Sequence, residues 1–437
     1  MKNNKTLKNK SINSTVISKK KLNKTLKKIK INKVVDIKKN LNIFLPSSNQ
    51  YNTGRCWIFS FLNILRIPFI KHYKMHPTFY FSPSYLAFWD KYEKCNYFLY
   101  LISKYHNDSI DDFNTFFLLN RTISDGGSWN MIQNIINKYG IVPYDAMKET
   151  LHSINTKELN ILINLKLKLF AKQIRNSKPN SHNKLINKQM KHILQILIKC
   201  YGNPPKQFNI EMNNKKYKNI KPTAFFNDFV SKLKGNNLNN KTVFINHPNL
   251  KEYTYYTINE LNNMNNNNNI LYFNVPIKDL KQFCLNSLKD NQCIWFGSDY
   301  NKFNIKSESL LDNSIFNYKS IGINKNKLFL NKGNAINYLQ TNVNHAMVLT
   351  GFFYKNSINK PNFWLIENSH DDKLKTISYE NNFGNVIMSD SWFNNHVIMA
   401  VIDNKYISSS SIKNKIKDKN NIIVLPKWNN LGELLVF

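Results

Sequence analysis

The chain has 437 residues, 42% of them hydrophobic and 13% aromatic. That is too long for one small module and too apolar for global disorder. Lysine and arginine number 62 against 27 acidic residues, a formal charge of +35. Only Arg55, Arg66, Arg121 and Arg175 supply the guanidinium fork that clamps phosphates and reads bases, so the charge does not by itself indicate a nucleic-acid reader.

Lys, Asn and Ile are inflated everywhere along the chain, the signature of a compositional bias. Non-specific polyanion affinity follows from the charge as a by-product. The five cysteines, Cys56, Cys95, Cys200, Cys284 and Cys293, are odd in number and scattered, with no CxxC pair. This argues against a disulfide framework and against a Cys-rich zinc site, and no cofactor is expected. The N-terminal residues show no apolar stretch of the secretory kind, and no run of about 18 apolar residues occurs. A cytoplasmic protein with no membrane partner is expected.

Residues 1–40 form a basic Lys/Asn-rich tail, read as a flexible arm. Residues 56–70, CWIFSFLNILRIPFI, have helical apolar spacing and predict a buried helix. Residues 78–104 are aromatic-rich and helical in character. Asp125-Gly126-Gly127 predicts a turn into a helix over 129–138, capped by Gly140 with Pro143 beyond it. Long amphipathic helices are expected over 155–200, ending near Gly202, with Asn-rich loops at 236–240 and 262–269. From about 293 the apolar period shortens toward two, in runs such as HAMVLTGFFY, NFWLIEN and VIMAVID. A helical first part and a β-rich last part predict an α+β fold.

The chemistry concentrates around Asn49-Gln50-Tyr51-Asn52-Thr53-Gly54-Arg55-Cys56-Trp57. A cysteine at the start of an apolar helix lies where free N–H groups and the helix dipole stabilise a thiolate. Gln50 can turn its amide toward the same point and, with the Cys56 N–H, form a two-donor oxyanion hole. A thiolate nucleophile needs a base, and the base an orienting group. His345 opens one strand-like run and Asn368 ends the next, 23 residues on, so two adjacent strands can present both side chains to Cys56. A lone cysteine on an apolar helix is ordinarily core, and a lone histidine ordinarily structural; the ordered set Gln, Cys, His, Asn reverses that reading.

With these segments the sequence resembles the papain-like cysteine peptidases, and within them the bleomycin hydrolase family of aminopeptidases. The resemblance runs from about residue 44 to the C-terminus. It includes Phe81-Ser82-Pro83-Ser84-Tyr85-Leu86, Asp125-Gly126-Gly127, Lys138-Tyr139-Gly140, Gly202-Asn203-Pro204-Pro205, Trp295-Phe296-Gly297 and Leu425-Pro426-Lys427-Trp428. It implies a papain-like two-lobed core, with the helical lobe at 41–144 and the β lobe at 291–426. It further implies a helical insertion at 145–290 that supports a homohexamer, and a C-terminal arm at 427–437 lying in the cleft.

By the same resemblance Cys56 is the nucleophile, His345 the general base and acid, Asn368 the residue that holds His345, and Gln50 an oxyanion donor. Gly126 and Gly127 would offer backbone hydrogen bonds to substrate, or merely form a turn. The terminal carboxylate at Phe437 would pair with the substrate's α-ammonium, with Gly432 giving the arm the freedom to turn into the cleft. The implied activity is hydrolysis of N-terminal peptide bonds in peptides with free N-termini. The rival reading is a nucleic-acid-binding homo-oligomer with weak or lost peptidase activity. One departure is marked: the family has Asn-Ser-Trp-Gly where this chain has Asn368-Ser369-His370-Asp371. His370 either stacks in place of the tryptophan or leaves the His345–Asn368 bond exposed.

Overall fold

The structure is a computed structural model. It describes residues 48–435 except 266–268, 307–308, 317, 319–321, 325–327, 355 and 371–384. The basic tail at 1–40 and Phe437 therefore lie outside the described residues.

Helix α1, Cys56–Tyr73, is buried on nearly every side, from Cys56 through Arg66 and again at Phe69 and Ile70. A helix apolar all round must sit inside the molecule, and α1 is the central rod of the fold. Each large apolar side chain it buries contributes about 1.5–3 kcal/mol. Helices α2 (Pro83–Lys104), α3 (Phe113–Asn120) and α4 (Trp129–Tyr139) pack around it. Ser82 caps α2 through the Tyr85 N–H, with Pro83 at the first helical position. Gly140 ends α4 with φ at 73°, and its N–H bonds Ile136 C=O at 2.7 Å. Two amphipathic helices follow, α5 (Lys157–Arg175) and α6 (His182–Tyr201).

Strands β1 (Phe208–Met212) and β2 (Lys215–Ile220) form a separate hairpin. The remaining strands join one sheet of 11. In chain order they are β3 (Lys241–Ile245), β4 (Thr254–Ile258), β5 (Tyr272–Asn274) and β6 (Ile294–Ser298), then β7 (Asn304–Ile305), β8 (Leu310–Leu311) and β9 (His345–Tyr354). The last are β10 (Pro361–Glu367), β11 (Asn385–Ser389), β12 (Val397–Asp403) and β13 (Ile422–Leu425). The sheet order is β13-β4-β5-β3-β12-β6-β9-β10-β11-β8-β7. One face packs on α1 and the helices around it; the other is covered by α7 (Ile277–Lys289) and α8 (Asp390–His396).

The α+β architecture agrees with the sequence reading, but the helical character expected for 145–290 holds only in part. Residues 241–245 and 254–258, KTVFI and TYYTI, are strands that pair with β12 and β13. They are β-branched and aromatic, and all but their first residues are buried. Such runs satisfy their backbone groups by joining the sheet rather than by forming another helix.

Candidate active site

Three contacts hold α1 against the sheet at its N-terminal end. The Ser60 hydroxyl donates to the Ala346 carbonyl at 2.9 Å, the Trp295 indole donates to the Trp57 carbonyl at 3.2 Å, and the Ala346 N–H points at Cys56 Sγ at 3.4 Å. The nucleophile candidate therefore abuts the first two residues of β9. Strands β9 and β10 are antiparallel neighbours, so His345 at the start of one and Asn368 just past the end of the other share one end of the sheet. His345 Nε2 lies 2.8 Å from Asn368 Oδ1.

The network fixes the imidazole tautomer. Asn368 Nδ2 donates to the Tyr300 hydroxyl at 3.1 Å, and Asn368 Oδ1 also accepts the Ser369 N–H at 2.9 Å. The oxygen of the amide thus faces His345, and Nε2 must carry the proton. Nδ1 is left as the acceptor for a thiol proton. The Tyr300 ring sits 4.8 Å from the His345 ring, and His370 stacks on it at 5.5 Å and 8° between planes. Of the two readings of His370, the stacked one is what the structure adopts, although an imidazole covers less of the hydrogen bond than an indole.

Gln50 is buried and tied to the same network. Its Oε1 accepts the Ser369 hydroxyl at 2.5 Å, its N–H donates to the Ser369 carbonyl at 2.8 Å, and its Nε2 donates to the Thr53 carbonyl at 2.6 Å. An amide nitrogen has two hydrogens, so the bond to Thr53 leaves one for a ligand. Tyr51, next along the chain, is held at φ 54°, a left-handed conformation uncommon for a bulky residue and frequent where a loop is shaped for a task.

Burial dominates the electrostatics. It pushes the Cys56 thiol up to about 11, opposed by the N–H groups of Ala346, Trp57 and Cys56 itself. It pulls His345 down to about 4, opposed by the bond to Asn368 and reinforced by the positive character of His370 and Lys306. At neutral pH each charged form is therefore disfavoured alone. A thiolate and an imidazolium arise together, by passage of one proton between neighbours, each then the counter-ion of the other.

Behind the nucleophile lies a buried polar anchor. Arg55 bonds Glu149 at 3.1 and 3.2 Å and Thr53 Oγ1 at 3.1 Å. Asp125 accepts from Lys91, Thr156, Asn160 and the Gly54 N–H. Burial raises its carboxyl, but Lys91 and these bonds outweigh that and keep it well below the usual carboxylate range. The turn that follows is set by packing. The Gly126 carbonyl accepts Lys94 Nζ at 2.5 Å, and a Cβ on Gly127 would lie 2.4 Å from the Trp57 ring. The Trp57 ring thus requires a glycine at 127.

The C-terminal segment is described as far as Leu435. Gly432 does not adopt a positive φ. It lies in a 3₁₀ segment, Asn430–Leu435, against Ile258 and Leu261. Among the described residues no group of three or more His, Cys, Asp or Glu side chains is placed to hold a metal ion, and no helix is long and apolar enough to cross a membrane.

The Peptidase C1-like family model matches residues 2–432. This chain belongs to the Peptidase C1-like family. It is 33% identical over 405 residues to bleomycin hydrolase of Gallus gallus and 31% to that of Homo sapiens, with 89% of this chain and 86% of each relative covered. It is 32% identical over 405 residues to aminopeptidase C of Listeria innocua, with the same shares covered. The crystal structure of PepW from Lactobacillus rhamnosis superposes with a TM-score of 0.82 at 29% identity, covering 94% of both chains. The fold is therefore the papain-like fold of this family.

Within the Peptidase C1-like frame, sequence reasoning missed two residues of the site. Tyr300 braces Asn368 and stacks near His345, but nothing distinguishes it in sequence from the other 21 tyrosines. Ser369 joins Asn368 to Gln50; its place directly after Asn368 was the available signal.

Proposed function

We propose that this peptidase hydrolyses N-terminal peptide bonds with Cys56 as nucleophile, His345 as base and then acid, Asn368 as orienting group and Gln50 as oxyanion donor. One observation carries the assignment: the unbroken hydrogen-bonded run Gln50–Ser369–Asn368–His345, ending beside Cys56. The chain is a cysteine peptidase of the aminopeptidase type, as its relatives named bleomycin hydrolase and aminopeptidase C support.

In the reaction, His345 Nδ1 takes the Cys56 proton as sulfur attacks the carbonyl carbon. The oxyanion that forms meets the Cys56 N–H, unpaired within the helix because it lies in the first turn, and the second Nε2 hydrogen of Gln50. Collapse breaks the C–N bond, and His345 gives its proton to the leaving amine. Water, deprotonated by the same imidazole, then cleaves the thioester and restores the thiol. Gly127, beside Trp57, would contact the acyl part of the substrate. The terminal carboxylate of the arm would receive the α-ammonium. The test is cleavage of aminoacyl fluorogenic substrates, beside N-blocked controls, with and without a thiol alkylator. Cleavage that ignores the alkylator would refute the assignment.

A cytoplasmic homohexamer is part of the same proposal. Ile161, Leu162, Leu165 and Leu169 are exposed along α5, an apolar face suited to a second copy of the chain. No specific observation favours the nucleic-acid-binding alternative.

Two expectations follow directly. Gln50→Ala should lower kcat by roughly 10²-fold, with a smaller change in KM, measured on an aminoacyl fluorogenic substrate. An unchanged kcat would remove Gln50 from the oxyanion hole. The pH profile should also be displaced. The competent pair shares one proton, so kcat/KM should fall as pH drops through about 4, where His345 holds a proton of its own. The substrate's α-ammonium deprotonates near 7.7–8.0, well before Cys56 at about 11, so the alkaline limb should follow the substrate. An acid limb near the ordinary imidazole value of about 6.5 would contradict the burial of His345.

A further inference from the structure

The arm leaves the body of the protein through a partly buried charge cluster. Lys427, two residues beyond β13, donates Nζ to Glu260 Oε2 at 2.6 Å, with the two side chains only 5% and 10% exposed. The other oxygen of the same carboxylate accepts Lys104 Nζ at 2.7 Å and the Tyr105 hydroxyl. The Glu260 carbonyl accepts the Tyr97 hydroxyl at 3.1 Å. Both ammonium groups lie over the Tyr105 ring, Lys427 at 4.7 Å and Lys104 at 5.1 Å.

Three parts of the fold meet here. Tyr97, Lys104 and Tyr105 belong to α2 and its end, Glu260 follows β4, and Lys427 begins the arm. Glu260 itself is held at φ 57°, a conformation that a side chain of this kind keeps only when its surroundings over-determine it. Exposed pairs such as Lys148–Asp145, at 65% and 91% exposure, contribute little. The Glu260 cluster, like the one at Asp125, is built otherwise: one carboxylate, largely out of water, receives three side-chain donors. Burial raises its carboxyl, but the bonds from Lys104, Lys427 and Tyr105 outweigh that and hold it ionised at neutral pH.

Past the cluster the arm follows a fixed course. Trp428 meets Phe113 edge-on at 4.6 Å, Asn430 donates to the Ile336 carbonyl, and Leu431 is buried. The position of Lys427 sets where that course begins.

We infer that Glu260 is a positioning residue for substrate selection: its carboxylate latches Lys427 and thereby fixes the arm whose end selects free N-termini. The inference rests on the aminopeptidase reading of the arm given above. The latch touches neither the reacting atoms nor the substrate and acts only through the arm.

The test uses full-length Glu260→Gln, Lys427→Met and Lys427→Arg. Each is assayed on matched peptides with free and acetylated N-termini, and amide exchange is followed over residues 427–435. Glu260→Gln and Lys427→Met should each reduce the ratio of kcat/KM for free over blocked substrate by roughly tenfold or more, with faster exchange in the arm. Lys427→Arg, which keeps the charge, should retain the wild-type ratio. Lys427→Met lies in the arm itself and remains informative if Glu260→Gln fails to fold. A fall in both activities together with an unchanged ratio would mean the cluster is only structural and would overturn the latch, as would faster exchange with an unchanged ratio. A wild-type protein with no Cys56-dependent cleavage of free-amine peptides would instead overturn the underlying reading. A selective wild type with equally selective variants removes the latch alone.

Discussion

Replacement of Cys56 by alanine is expected to abolish peptide hydrolysis, by roughly 10⁴-fold or more, while leaving the fold intact. Cys56 is 5% exposed and begins a helix that is otherwise packed by larger groups, so removal of one sulfur takes little from the core. Circular dichroism and the melting temperature should be nearly unchanged. The chemistry, by contrast, has no second nucleophile in reach. Burial raises every one of the other thiols, Cys95 and Cys293 up to about 12 and Cys200 and Cys284 upward as well. None of them has a histidine-asparagine pair beside it in the described structure. At neutral pH, iodoacetamide should therefore modify Cys56 before the other four, since only Cys56 can pass its proton to a neighbouring imidazole. Peptide mapping by mass spectrometry reads this directly, and uniform labelling of all five would refute the pairing. Asn368→Ala should cost less than His345→Ala, because Asn368 holds the ring and moves no proton.

Much of this site was legible in the residues because its parts lie at element boundaries, where local sequence is most constrained. Cys56 begins an apolar helix, His345 begins a strand and Asn368 follows one, and each boundary shows in the periodicity. The contacts that lock them together were not legible. Tyr300 reaches Asn368 only because the segment before β9 is drawn back on itself: Asp299 accepts from Thr341 and Asn344, and Asn344 accepts the Tyr300 N–H. That closure is a tertiary event with no local pattern. The strands at 241–245 and 254–258 were missed for a related reason. Each has one partner in β5, a strand of only three residues, and its other partner, β12 or β13, lies more than 150 residues later; short apolar runs do not declare whether they will be strand or helix until a partner is present. The Gly126-Gly127 pair was visible, but its cause was not, since the Trp57 ring that excludes a Cβ at Gly127 comes from another helix.

Removal of residues 433–437 is expected to lower kcat/KM on free-amine substrates and to open the enzyme to N-blocked peptides. The charge pair between a terminal carboxylate and a substrate α-ammonium is worth about 1.5–3 kcal/mol when partly shielded from water, a loss of roughly 10- to 150-fold on free-amine substrates. For blocked peptides the sign reverses, because the arm is an obstacle to them. The chain up to Leu431 should hold its place without the last residues. Leu431 is buried, Asn430 is bonded to Ile336, and Lys427 is held by Glu260. The truncation therefore tests the end of the arm and not its anchor. Comparison with Glu260→Gln separates the two. If truncation unmasks cleavage of blocked peptides and Glu260→Gln does not, the arm selects but the latch is dispensable. If both do, selection depends on the end of the arm and on the point from which it is held. If the truncated enzyme still demands a free amine, the terminal carboxylate is not the selector. Another anionic group in the cleft must then receive the α-ammonium, in a protein whose excess of 35 positive charges leaves few carboxylates to supply it.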